Sequence, residues 1–150
     1  MKVWIDGDAC PDISDILDLC HHYQTPVCIV CDDSHEFQNI EEVKVVSTGF
    51  QSADMYLLNR IQAGDFVITG DYGVATIALA KQCTTLHPNG IFYTKDNIDQ
   101  LLLQRYIHGK MRRQKIRTPN PKKRRMETRL QFLNQVESVL KEGDCNEDRY

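Results

Sequence analysis

Short runs rich in β-branched and aromatic residues alternate along this chain with longer stretches whose apolar positions return every three or four residues. Residues 2–5 predict a first strand. Pro11 fits the first turn of a following helix, in which Ile13, Ile16, Leu17 and Cys20 form the apolar stripe. Asp12, Asp15 and Asp18 fall on its other side and read as a solvated face. Residues 26–31 predict the second strand, a polar stretch fills 32–39, and 43–46 predict the third strand. Ser52 can cap a helix running to about residue 63, with Gly64 ending it. Residues 66–69 predict a fourth strand, 74–81 a helix of small residues, and Thr84–Leu86 a fifth strand. His87-Pro88-Asn89-Gly90 is a turn by composition, and 91–93 reads as another short strand. Residues 97–107 predict a helix, and Pro119 and Pro121 break the segment after it. Residues 123–141 predict a last helix with Met126, Leu130, Leu133, Val136, Val139 and Leu140 near one face. Residues 143–150 read as a flexible tail.

Strands that alternate with helices imply an α/β fold: a parallel sheet of about five strands flanked by helices, here with a C-terminal helical extension. A single domain over residues 1–142 accommodates all of it, and 150 residues suffice to bury a sizeable core. In such sheets ligands bind beyond the carboxyl ends of the strands.

Composition adds three constraints. Hydrophobic residues at 41% and charged residues at 26% argue against disorder of the whole chain. No apolar run approaches the length of a membrane helix, and Asp6 interrupts the N-terminus where a signal peptide needs its apolar region, so the expected location is cytoplasmic, with no membrane partner. Charge is unevenly placed: residues 110–129 hold ten of the 18 Lys+Arg and one acid, Glu127, whereas the remaining chain is strongly acidic. A basic segment on an acidic body suggests a polyanionic partner, nucleic acid first, although such a run can also be a solvated face. Of the six cysteines, Cys28 and Cys31 have metal-ligand spacing. On a strand, residues three apart point to opposite faces, so buried apolar cysteines are the better reading.

The loops after the strands are rich in carboxylates: Asp6 and Asp8, Asp32 and Asp33, Asp54, and Asp71. Singly, each has a structural explanation. Asp54 suits the first turn of a helix, and Asp71 can cap one. Together, they are gathered by a parallel sheet along one edge, where like charges repel unless a cation or protons intervene. Oxygen clusters of this kind suit Mg²⁺ or Mn²⁺, and the chemistry is attack of water on a phosphate ester.

The segments Asp6-Gly7-Asp8-Ala9-Cys10-Pro11, Gly49-Phe50-Gln51-Ser52-Ala53-Asp54 and Gly64-Asp65-Phe66-Val67-Ile68-Thr69-Gly70-Asp71 resemble the DADACP, GxxxAD and GDxVITxD patterns of the bacterial YaiI/YqxD family. His87-Pro88-Asn89-Gly90 with Tyr93-Thr94 is similar to its NPxG and YT stretch. The resemblance spans roughly residues 2–140. That family is in turn similar to PIN-like domains, metal-dependent ribonuclease folds with aspartates at the strand ends. The resemblance implies a PIN-like fold, with Asp6, Asp54 and Asp71 as the acidic triad and Asp8 as an added ligand or a group orienting the attacking water. Gly7 stands where the family often has Ala. The mid-chain Glu of many PIN domains has no counterpart, since Glu36, Glu41 and Glu42 are misplaced for it.

The expected function is a divalent-metal-dependent nuclease acting on RNA, with Mg²⁺ or Mn²⁺ as cofactor. Thr48, Ser52 and Thr69 would contact phosphate. Arg112, Arg113, Lys115, Lys122, Lys123, Arg124 and Arg125 would grip the backbone, and a second copy of the chain is a candidate partner. Two alternatives stand beside it. One is a non-catalytic PIN-like module that binds RNA or protein. The other is an aspartyl-nucleophile phosphatase of the haloacid-dehalogenase type, whose motif the Asp6-x-Asp8 pair partly fits.

Overall fold

A computed structural model describes residues 1–7, 10–31, 43–45, 53–114 and 125–147, the stretches 43–45 and 144–147 by backbone alone. The chain runs β1 (Val3–Asp6), α1 (Ile13–His22), β2 (Val27–Cys31), β3 (Val43–Val45), α2 (Ala53–Arg60), β4 (Phe66–Ile68), α3 (Tyr72–Ala80), β5 (Thr84–Leu86), α4 (Lys95–Arg113) and α5 (Met126–Glu147). All five strands are parallel, in the order β3-β2-β1-β4-β5. The chain builds outward from β1 to β3, then returns to the other side of β1 to lay down β4 and β5. The order therefore reverses between β1 and β4, and the crevice where ligands of such sheets bind opens at their carboxyl ends.

Side-chain alternation sorts the strands onto two buried faces. Val3, Ile5, Ile29, Phe66, Ile68 and Leu86 pack against Ile13, Ile16, Leu17 and Cys20 of α1 and Phe132, Val136 and Leu140 of α5. Trp4, Cys28, Val30 and Val67 face α2 and α3. A third cluster joins α3 to α4 through Ala75, Tyr93 and Ile98. The opposed placement of residues three apart puts Cys28 and Cys31 on different faces of the strand, as buried thiols outside any disulfide. No helix among the described residues is long and apolar enough to cross a membrane.

Several boundaries differ from expectation, each for a local reason. Pro11 lies outside α1, because Asp12 occupies the N-cap in the left-handed region (φ 60°), which an Asp side chain tolerates. Asp12 and Asp15 are not merely a solvated face: both meet the guanidinium of Arg129 from α5, with Asp12 Oδ1 3.3 Å from Nε. That Nε contact is an ion pair without hydrogen-bond alignment. The second helix stops at Arg60, and the turn after it is closed by Asp65, whose Oδ2 accepts from the Gln62 amide at 2.9 Å. Residues 91–93 form no strand, only a single antiparallel bridge between Phe92 and Leu86. The fourth helix is longer than expected at both ends. A reciprocal Thr94–Asn97 capping box starts it early, and it continues into the basic segment as far as Arg113. The last helix runs through Gly143 to Glu147, into the expected tail, and its buried stripe is Phe132, Val136 and Leu140, leaving Met126 and Leu130 exposed.

Candidate active site at the carboxyl edge of the sheet

Asp6 is the last residue of β1, and it is only 4% exposed. A carboxylate so placed needs hydrogen-bond donors to offset the hydration it has lost. One comes from the neighbouring strand: the hydroxyl of Thr69, immediately after β4, donates to Asp6 Oδ2 at 2.9 Å. The same hydroxyl accepts from the Asp71 amide at 3.0 Å, and the Thr69 carbonyl accepts from the Tyr93 hydroxyl at 3.1 Å. Thr69 is fully buried. Its hydroxyl is thus engaged on both sides, joining the Asp6 carboxylate to the Asp71 amide.

Asp71 is the N-cap of α3. Its Oδ1 accepts from the amides of Gly73 (2.8 Å) and Val74 (3.3 Å), which satisfies donors that a helix start otherwise leaves open. Helix capping, one of the two readings of this residue, is thus realised. It occupies one oxygen only, and Asp71 Oδ2 has no partner among the described residues. Arg105 of α4 stands 3.9 Å from Oδ1, and with Gly70 and Tyr72 these two residues line a small cleft.

Asp54 sits half-buried in the first turn of α2. That helix packs back across β2 and β1, so its start lies at the same edge as the ends of β1 and β4. Asp8, Thr48 and Ser52 lie outside the described residues. Among those described, no three His, Cys, Asp or Glu side chains converge as a metal cluster. The donors offered by Asp6, Asp54 and Asp71 are all carboxylate oxygens, the hard ligands that Mg²⁺ and Mn²⁺ take.

Arg112 and Arg113 lie exposed in the last turn of α4, and Arg125 is exposed just before α5. Lys115, Lys122, Lys123 and Arg124 lie outside the described residues. Arg112 is two helical turns, about 10 Å, beyond Arg105 and on the same side of the helix. The described part of the basic segment thus continues a face that begins beside Asp71.

Sequence reasoning missed Arg105, because it precedes the dense basic run that drew attention. It also missed an aromatic group beside the acids. Tyr72, His87 and Tyr93 meet with ring centroids 5.7–6.1 Å apart. Burial pushes the Tyr93 phenol upward and holds His87 below its ordinary value. His87 Nδ1 accepts from the Asn89 amide at 2.9 Å, so the neutral ring carries its proton on Nε2. The turn signal at residues 87–90 was visible in the sequence, but its contact with Tyr72 was not.

The motif segments now have physical content, and comparison with known proteins assigns them. Residues 4–142 match the family model described as "Uncharacterized BCR, YaiI/YqxD family". The chain belongs to the YaiI/YqxD family. A UPF0178 protein of Clostridium kluyveri is 43% identical over 128 residues, covering 85% of this chain and 84% of its own length. A UPF0178 protein of Clostridium novyi is 38% identical over 93% of this chain and 95% of its own. One from Exiguobacterium sibiricum is 36% identical over 95% of this chain and 98% of its own. No solved structure matches the chain.

The YaiI/YqxD pattern GDxVITxD reads in this fold as one continuous device. Gly64 takes the turn at φ +89°, and Asp65 ties the start of β1 by accepting from Lys2 N and Trp4 Nε1 at 3.0 and 3.1 Å. Val67 and Ile68 are core strand, Thr69 holds Asp6, and Asp71 caps α3. The glycine of the NPxG stretch, Gly90, has φ +83°, and a Cβ there would come within 3.1 Å of the Phe132 amide nitrogen. A larger residue at Gly90 would strain the left-handed backbone there and crowd Gln131 and Phe132 of α5.

Proposed function

We propose that this protein is a divalent-metal-dependent nuclease that hydrolyses RNA phosphodiesters at the edge formed by Asp6, Asp54 and Asp71. The observation that carries the reading is the buried Asp6 carboxylate at the β1/β4 crevice, held by Thr69 beside the open oxygen of Asp71. A carboxylate kept at this position costs desolvation that an apolar residue would not, and a chemical use offsets that cost. Asp6, Asp54 and Asp71 share one edge without converging as a three-carboxylate cluster, and would hold Mg²⁺ or Mn²⁺ directly or through water, with Asp8 completing the set or orienting the attacking water. When bound there, the cation supplies charge neutralisation and an activated water for attack at phosphorus. Thr69 keeps Asp6 and Asp71 in register. Arg105 stands next to Asp71, where it would hold a substrate phosphate, and Arg112 and Arg113 would extend that grip along α4.

A second reading, a non-catalytic binder of RNA or protein, is favoured by one observation: Asp71 already has a structural occupation as a helix cap. One assay separates them. Purified protein is incubated with single-stranded RNA, single-stranded DNA and a phosphomonoester, in Mn²⁺, Mg²⁺ or EDTA. The nuclease reading expects RNA cleavage that EDTA stops and that Asp6→Asn abolishes. RNA binding without cleavage in either metal selects the binder. Phosphate release from the monoester with a trapped adduct on Asp6 selects the phosphatase.

A further inference from the structure

Beside the acidic edge lies a cavity of about 220 Å³, and it shares Tyr72 with the Asp71–Arg105 cleft. This is smaller than the roughly 300–1,000 Å³ of pockets that hold drug-sized ligands, and it suits a single ring system. Its walls are aromatic and apolar: Tyr72, His87, Tyr93 and Leu101. Its polar lining includes four side-chain amides: that of Asn97 is tied to the Thr94 amide and the Phe92 carbonyl, whereas those of Asn89, Gln100 and Gln104 are on exposed residues and have no hydrogen-bond partner among the described residues. Gln100, Leu101 and Gln104 recur at helical spacing, so α4 presents one stripe to the cavity, and Arg105 follows Leu101 by one turn toward Asp71.

Flat aromatic faces with primary amides, which offer both a donor and an acceptor, form the chemistry that recognises a nucleobase by stacking and by its hydrogen-bonding edge. The His87 ring adds one fixed donor, because its Nδ1 is committed to the Asn89 amide. The adjoining Arg105, 3.9 Å from Asp71, would supply a phosphate contact between this cavity and the carboxylates. We infer that the cavity receives one base of a single-stranded RNA, next to the phosphodiester presented to Asp6 and Asp71. The inference rests on the nuclease reading for the identity of the strand. It makes the cavity the place where sequence preference arises. The Tyr93 hydroxyl, bonded to the Thr69 carbonyl, fixes the cavity wall to the same residue that positions Asp6.

The test is binding in EDTA, so that it does not depend on turnover. Full-length ¹⁵N-labelled protein is titrated with UMP, CMP, AMP, GMP and ribose 5-phosphate while the side-chain amide signals of Asn89, Gln100 and Gln104 are followed. The nucleotides are expected to shift these signals and ribose 5-phosphate to leave them in place, with one base favoured at least about fivefold. A variant carrying Gln100→Ala and Gln104→Ala should lose that preference and keep its melting temperature, since both side chains are exposed. A hexanucleotide of the favoured base should bind more tightly than its mononucleotide. Equal shifts with ribose 5-phosphate, or a base preference that survives the double substitution, would overturn the inference. Equal affinity for mononucleotide and hexanucleotide would overturn its assignment to a strand. Base-selective binding by a protein that cleaves no RNA defeats the nuclease reading alone. Cleavage without base selectivity defeats this inference alone.

Discussion

Thr69 carries more of the site than any other residue. It is fully buried, and its hydroxyl joins Asp6 to the Asp71 amide while its carbonyl receives Tyr93. Thr69→Val keeps the shape and removes the hydroxyl, leaving a buried carboxylate oxygen and an amide without their partner. The expected cost is about 1–3 kcal/mol for each such group, read from the urea midpoint. Thr69→Ser restores the hydroxyl, so most of the lost stability should return. Equal losses in both variants would mean that the methyl group's packing, not the hydroxyl, is what matters. The residues of this hub were legible in the sequence as a motif, but its wiring was not. Thr69 and Asp6 are 63 positions apart, and only the β1/β4 register brings them within hydrogen-bond distance.

The helices show how far periodicity carries. In α1 the stripe Ile13, Ile16, Leu17 and Cys20 is buried as the spacing predicts, because one face has one neighbour, the sheet. In α5 the spacing places Met126, Leu130, Leu133, Val136, Val139 and Leu140 near one face, but burial is centred a little to one side of it. Phe132, Val136 and Leu140 are the buried positions, since they meet the sheet face beside α1, and Arg129 closes the contact from the other side through Asp12 and Asp15. Phe132→Ala should therefore destabilise the protein by about 3–5 kcal/mol, from lost burial plus the cavity left behind. Leu130→Ala, at an exposed position, should stay within about 0.5 kcal/mol. Thermal denaturation of the two variants in parallel checks the assignment. A large loss at Leu130 would show that its side of the helix is covered. Helix α4 is the least anchored by its own core, with Ile98 its single buried residue, yet it supplies Gln100, Gln104 and Arg105 to the candidate site.

At the scale of the whole molecule, the doubly wound order places the ends of β1 and β4 at one crevice and the start of α2 on the same edge. If a divalent cation is held there by the folded state alone, it stabilises that state: at a hundred times its dissociation constant the gain is about 2.7 kcal/mol. For a chain of this size that corresponds to a rise of about 5–10 °C in Tm. Mn²⁺ and Mg²⁺ should produce the rise, EDTA should reverse it, and Asp6→Asn combined with Asp71→Asn should abolish it. No shift in either metal would leave the carboxylates as structural groups.

Local chemistry was sufficient for much of this protein. Alternating strands and helices, the two-sided burial of β1, β2 and β4, the cap at Asp71 and the turn at Gly90 all follow from side-chain period, hydrogen-bond demand and backbone sterics within a few residues of each position. The tertiary structure decided what depends on distant partners. It selected the buried stripe of α5, converted Asp12 and Asp15 from a solvated face into partners of Arg129, and tied the Thr69 hydroxyl into a buried link between Asp6 and Asp71. It also brought Tyr72, His87 and α4 around one cavity. The physical reason is the same in each case. A residue's period along its own element states which face it shares, whereas the packing of another element against that face determines whether the residue is solvated, paired or buried.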